Sequence, residues 1–240
     1  MKKFECDCCG ECCKKFQPNL SEFSELISDL NGPEYYYNVR EIAGLPLFEW
    51  EVKELNNESK KLGISLEIKP DKIVIDLLSN KKIVYSWKLL QEPCPFLKNN
   101  KCLVYDKRPL ICKGYPLSIK IDEVTDALSA DKDVSCKCAF WPKDDPIINF
   151  YKYLYEVYDN CFIAAIKMKQ IEKNYLDIFI LLEKLGKIKL MKYEKQQPAF
   201  EKSSKYQDIN VKELFCEHSI TVDIENIADK YAKDIIECMC

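Results

Sequence analysis

The sequence predicts an α+β protein. A cysteine-cluster domain with a small antiparallel β-meander is expected over residues 1–145, and a mainly helical domain over 146–240. Three observations carry this reading. Ten of the fourteen cysteines fall into two groups, separated by 80 residues that hold none. Short β-like runs bounded by turn residues fill 65–87. From residue 145 onward apolar residues recur at the 3.6 spacing of helices.

The elements follow in order. After the first cysteines, Leu20, Phe23, Ile27 and Leu30 stand at helical spacing, and Asn31-Gly32-Pro33 ends that helix. Residues 35–39 read as a short strand. Pro46 precedes a helix holding Phe48, Val52, Leu55 and Leu62, stopped by Gly63. Three strands are predicted at 65–68, 73–77 and 82–87, with turns at Pro70-Asp71 and at 79–81. They form the meander that returns the chain to Cys94. Asp145-Pro146 is a helix start, with Asp as cap and Pro in the first turn. One apolar stripe then runs through Ile147, Phe150, Tyr151, Leu154, Tyr158, Phe162, Ala165 and Ile166. It continues through Tyr175, Ile178, Phe179 and Leu182 to a stop at Gly186. A last helix carries Ile224, Ile227, Ala228, Tyr231, Ile235 and Cys238 on one face.

Composition narrows the function classes. Thirty-six basic against 39 acidic residues give a formal net charge of −3, and the lysines are dispersed, so no nucleic acid is expected as a partner. The tyrosines at 35–37 and at 151, 153 and 155 read as core or half-buried positions rather than base-stacking platforms. The apolar runs at 161–166 and 178–182 are too short to span a bilayer, and the basic start is followed by cysteines where a secretory signal needs an apolar stretch. The expectation is a cytoplasmic protein with no membrane partner. Thiols stay reduced there, so metal binding outranks disulfides.

The cysteines themselves carry the chemistry. Cys6, Cys8, Cys9, Cys12 and Cys13 open the chain; Cys94, Cys102, Cys112, Cys136 and Cys138 form the second group. Cys6-x-x-Cys9 and Cys9-x-x-Cys12 have the two-residue gap with which a tight turn aims two sulfurs at one ion, and Gly10 supplies a positive φ inside that turn. Neighbouring side chains diverge, so Cys12 and Cys13 are expected to serve two ions, two irons of one cluster, or one metal and one core position. The wider gaps of the second group suit loops that each give one sulfur to a site shared with the first. Four thiolates on Zn²⁺, or on an oxidised [4Fe–4S] core, leave a charge of −2 that needs cations and N–H donors nearby. Lys14, Lys15, Lys101, Lys107, Arg108 and Lys113 adjoin the cysteines. Arg108, ahead of Pro109, is suited to hold a thiolate or Asp106; the plainer role is a surface salt bridge.

F-x-C-x-x-C-G-x-C-C followed by C-P-F-L-x4-C-x-V-Y-x-x-R-P-x-x-C-x-x-Y-P resembles the YkgJ-type CxxCxxCC cysteine-cluster family, a zinc- or iron-chelating domain. The match runs from Phe4 to Pro116 and takes in Gly10, Tyr105, Arg108 and Pro109. The resemblance implies that Cys6, Cys9, Cys12, Cys13, Cys94, Cys102 and Cys112 are metal ligands, with an eighth from Cys136 or Cys138; Cys8 is extra to it. Members similar to this chain include flagellin lysine methylases, so the resemblance also raises SAM-dependent methylation of a protein substrate.

Four cysteines lie outside both groups. Cys161 reads as a small hydrophobe on an apolar helix face, whose change to Ser should leave metal content unchanged. Cys216, His218, Cys238 and Cys240 offer a Cys3His zinc set, although Cys238 also fits the last helix's apolar stripe. No C-x3-C-x2-C triple, phosphate loop or dinucleotide fingerprint occurs, and a single histidine excludes H-E-x-x-H. The expected function is to hold a thiolate-ligated centre, iron–sulfur ahead of zinc because ligands are many and imidazole nearly absent. Whether that centre serves an enzyme or a structural, partner-binding role is left open by the sequence.

Overall fold

The computed structural model of the protein describes residues 3–6, 10–14, 37–38, 44–121, 128–132, 150–191 and 206–239. The helix expected at 20–30, the start at Asp145-Pro146 and the boundary near residue 145 lie outside these. The architecture is α+β, as the sequence predicts. The chain forms two compact units: Met1–Pro18, Phe96–Asn174 and Asp223–Cys240 make one, and Asn19–Pro95 with Tyr175–Val222 make the other. No helix among the described residues is long and apolar enough to cross a membrane.

The second of these units is built on a sheet. Strands β1 (Tyr37–Asn38), β2 (Leu45–Leu47), β3 (Ile68–Asp76) and β4 (Lys81–Leu89) are antiparallel in the order β1-β3-β4-β2. β9 (Gln207–Asn210) adds to β4 in parallel, with Ile83 opposite Ile209. β3 pairs along all of β4, so β2 and β9 share β4's other edge, one at each end. The predicted turn at Pro70-Asp71 is instead a register irregularity inside one continuous strand: Pro70 faces Trp87 and Lys72 faces Ser86, leaving Asp71 as the extra residue. Proline has no N–H to give to a ladder, and a bulge tolerates it. Asp71, only 3 % exposed, is held by an ion pair from Lys88 at 2.8 Å.

Helix α2 (Glu49–Leu62) matches its prediction. The Glu51 carboxylate accepts from the Phe48 N–H at 2.9 Å, and Gly63 closes the helix at φ +66. The aromatic core gathers Tyr85, Tyr175 and Phe179, with Tyr85 edge-on to Phe179 at 5.5 Å, and Phe48 and Phe215 each 6.3 Å from Tyr175. Phe215 comes from α6 (Val211–Glu217), capped by Asn210, whose side chain accepts from the Glu213 N–H.

The cysteine-bearing unit begins with α1 (Glu11–Lys14). It continues through a hairpin of β5 (Leu97–Lys98) and β6 (Lys101–Cys102), a 3₁₀ turn at Tyr105–Lys107, and α3 (Leu110–Gly114). A second hairpin follows, β7 (Leu117–Ile121) with β8 (Leu128–Lys132), then α4 (Phe150–Tyr158), α5 (Asn160–Lys184, as far as Asn174 in this unit) and α7 (Ile224–Met239). Leu117, Ile119, Leu154, Phe162, Ile166 and Ala232 are among the residues of its core, with Tyr151, Tyr153 and Tyr155 packed half-buried against it. The stripe predicted as continuous breaks at Asp159, which adopts φ +41 between α4 and α5. In α7 the expected face is narrower than read: Ile224, Ala228 and Ala232 are buried, whereas Ile227 is 45 % exposed.

Candidate metal centre

Three stretches of the cysteine-bearing unit come together around one cavity of about 780 Å³. The first is the N-terminal segment. The Phe4 N–H donates to the Val157 carbonyl at 2.7 Å, its ring lies 5.2 Å from that of Tyr158, and Lys3 reaches Asp159 at 3.7 Å. These contacts fix Cys6 over the α4–α5 junction. Beyond it, Gly10 adopts φ +75 and lies against the β5–β6 hairpin, so close that a Cβ there would stand 3.0 Å from Leu97 Cδ1 and 3.3 Å from Asn100 Cα. Asn99 and Asn100, both at positive φ, make the two-residue turn of that hairpin, and Leu97 pairs with Cys102. The Cys13 N–H returns to the Gly10 carbonyl at 3.0 Å and starts α1.

The second stretch runs from Tyr105 to Tyr115. Arg108 donates from Nε to the Tyr105 carbonyl at 3.0 Å and stacks its guanidinium 3.7 Å over the Tyr105 ring. Among the described residues no carboxylate lies within ion-pair distance of it. Pro109 then caps α3, which carries Cys112 and packs Gly114 onto the backbone of Ala165 in α5. The third stretch is the α4–α5 junction itself, which brings Cys161.

Cys6, Cys12, Cys112 and Cys161 all line the cavity, beside Arg108. On α1 the sulfurs of Cys12 and Cys13 lie 3.8 Å apart, where the sequence suggested divergence. Two thiolates on one tetrahedral zinc, with bonds of about 2.3 Å, span about 3.8 Å as well. The close Cys13 sulfur, with burial behind it, pushes the Cys12 thiol up; Arg108 works against this. Burial pushes Cys161 up to about 11, again with Arg108 opposing and Cys6 adding to the rise. None of the eight described cysteines is in a disulfide. The donor chemistry therefore fits a thiophilic metal. Among the described residues, no three Cys, His, Asp or Glu side chains stand close enough to hold one ion together.

The other predicted ligands are placed as follows. Cys102 is half-buried on β6 and Cys94 is buried in the sheet unit, next to its boundary in the chain. Cys9, Cys136 and Cys138 lie outside the described residues, as do Cys8 and Cys240. Cys216 is exposed on α6 and His218 is that helix's C-terminal cap; the side chain of Cys238 is not described. Cys161 packs half-buried against the core of its unit, in line with its reading as a small hydrophobe, and it also lines the cavity.

Across residues 5–139 the chain matches the model of the CxxCxxCC family, Putative zinc- or iron-chelating domain. It belongs to that family. No curated protein and no solved structure matches the chain. The division into units bears on the family's cysteines. Of the candidate ligands among the described residues, Cys94 falls in the sheet unit; Cys6, Cys12, Cys13, Cys102 and Cys112 share the cysteine-bearing one. The cysteine-free stretch of 80 residues corresponds closely to the first segment of the sheet unit.

Proposed function

We propose that the cysteine-bearing unit holds a thiolate-ligated metal centre, an iron–sulfur cluster in preference to zinc, and works in a reducing compartment such as the cytoplasm. One observation carries the reading: cysteines distant in sequence line a single cavity beside an arginine with no carboxylate partner among the described residues. The ligands that the family resemblance implies within this unit are Cys6, Cys9, Cys12, Cys13, Cys102 and Cys112, with Cys136 or Cys138. Iron–sulfur is favoured by a donor set that is almost wholly sulfur. Anaerobic purification followed by iron, sulfide and zinc analysis with a visible spectrum tests it. Iron and sulfide in comparable amounts are expected, and Cys9→Ser or Cys102→Ser should lose them. A colourless protein with stoichiometric zinc overturns the cluster; a protein without bound metal overturns the centre.

A second reading concerns what the centre does. Structural zinc sites are closed, whereas catalytic ones keep a position open. A cavity of about 780 Å³ is within the range of small-molecule pockets and favours a reaction over a purely structural role. SAM-dependent methyl transfer to a protein is the candidate reaction. Calorimetric titration with SAM is expected to show binding by the loaded protein; its absence, together with unfolding on metal removal, favours a structural centre.

A further inference from the structure

We propose that Cys161, on the first turn of α5 and outside the stretch that matches the family, is a thiolate ligand of the same centre and binds it together with Cys6. This deepens the reading of a metal centre above and rests on it.

The argument is one of placement. Cys161 shares the cavity wall with Cys6, Cys12 and Cys112, three of the cysteines assigned to the centre. The N-terminal segment is anchored to the residues just before it, by Phe4 to Val157, Phe4 to Tyr158 and Lys3 to Asp159. Those contacts set Cys6 beside the turn on which Cys161 stands. The break at Asp159 is what makes this possible. At φ +41 it ends α4 and restarts the helix one residue later, so Cys161 lies in the opening turn of α5. From the other side, Gly114 closes against Ala165, one turn along α5, and holds the helix of Cys112 close. Arg108 completes the surroundings, lining the same cavity as Cys12 and Cys161.

The arrangement also accounts for the absence of a three-donor group among the described residues. Cys12 and Cys13 are a contacting pair on α1, and Cys6 and Cys161 both line the cavity at the helix junction. Sulfurs spread along a wide cavity suit a centre with more than one metal atom, each atom taking part of the set. On binding, each thiol gives its proton to solvent and its sulfur to the metal.

A core cysteine would behave otherwise, and Cys161 does touch the core of its unit. Valine replaces a packed cysteine with an apolar group but cannot ligate, so Cys161→Val separates the two roles. The protein is purified anaerobically with its metal, and wild type, Cys161→Val and Cys161→Ser are compared by metal content and chelator competition. The wild-type protein is also alkylated with iodoacetamide before and after chelation, and Cys161 modification is read by mass spectrometry. Both Cys161 variants should bind metal at least ~10-fold more weakly than wild type. In wild type Cys161 should be protected until the metal is removed. Wild-type metal content and affinity in Cys161→Val, or equal alkylation of Cys161 with and without metal, would overturn the proposal while leaving the centre intact. Absence of metal from the wild-type protein itself removes the centre and this ligand with it.

Discussion

Gly10 shows how a single residue sets the position of the N-terminal thiols. Its φ of +75 is available to glycine at little cost, and its missing side chain leaves room for Leu97 and the backbone of Asn100. Alanine there meets two penalties: the left-handed backbone costs roughly 1–2 kcal/mol, and the new methyl presses on the hairpin. Gly63 isolates the first of these. Its φ is +66, yet nothing lies within 4 Å of where a Cβ would stand. Urea denaturation should therefore find Gly10→Ala more destabilising than Gly63→Ala, and only Gly10→Ala should lower metal content. Equal losses from the two would mean that the hairpin contact contributes nothing. Asp76 plays a comparable role in the sheet unit. Its carboxylate, 1 % exposed, accepts from the N–H groups of Leu78, Ser79 and Lys189 and from the Ser79 hydroxyl. Asp76→Ala leaves those donors without a partner and should cost ~2–4 kcal/mol. Asp76→Asn, which keeps one acceptor oxygen, should lose clearly less in the same denaturation experiment.

At the scale of elements, those read correctly from sequence are the ones whose ends are written locally. α2 has Gly63 to stop it, and β4 has a turn before it and β-branched and aromatic residues along it, Ile83, Val84, Tyr85 and Trp87; each follows from its own residues. Elements set by distant partners were misread. Pro70-Asp71 has the chemistry of a turn, but pairing with β4 carries the strand through it as a bulge. The apolar stripe of α4 and α5 continues in phase across Asp159, so periodicity alone does not reveal two helices. Ile227 fits the stripe of α7, yet the small Ala228 and Ala232 define the buried face. The packing of α3 on α5 is equally invisible in sequence, because it depends on Gly114 meeting Ala165. A Cβ at Gly114 would lie 3.1 Å from the Ala165 backbone nitrogen and 3.2 Å from its Cα, atoms that cannot rotate away. Gly114→Ala should destabilise the unit by ~1–3 kcal/mol and displace Cys112, lowering metal affinity. An unchanged denaturation midpoint and metal content would show that the contact has room to relax.

Over the whole molecule, the same division between local and distant explains what the sequence disclosed of the centre. The clustered cysteines announce soft-metal chemistry by composition and spacing. That Cys161 lines one cavity with Cys6, Cys12 and Cys112 is not legible there, because it comes about only once the chain has folded. The cysteine-bearing unit has a core of its own, but it also holds Cys6, Cys12, Cys13, Cys102 and Cys112. The sheet unit has its aromatic core around Tyr85, Tyr175 and Phe179 and the long β3–β4 pairing, with Cys94 as its one candidate ligand. Binding energy at a metal site is folding energy for the segments that supply the ligands. Metal removal should therefore act unevenly. After chelation, hydrogen exchange followed by mass spectrometry should speed up strongly in peptides covering 3–14 and 96–116. Peptides from β3 and β4 should keep protection close to that of the loaded protein, since their amides are secured by strand pairing and apolar burial. If protection of β3 and β4 collapses together with that of 96–116, the two units unfold as one and the centre supports the whole chain. If no peptide changes, the metal is not part of what holds the cysteine-bearing unit folded.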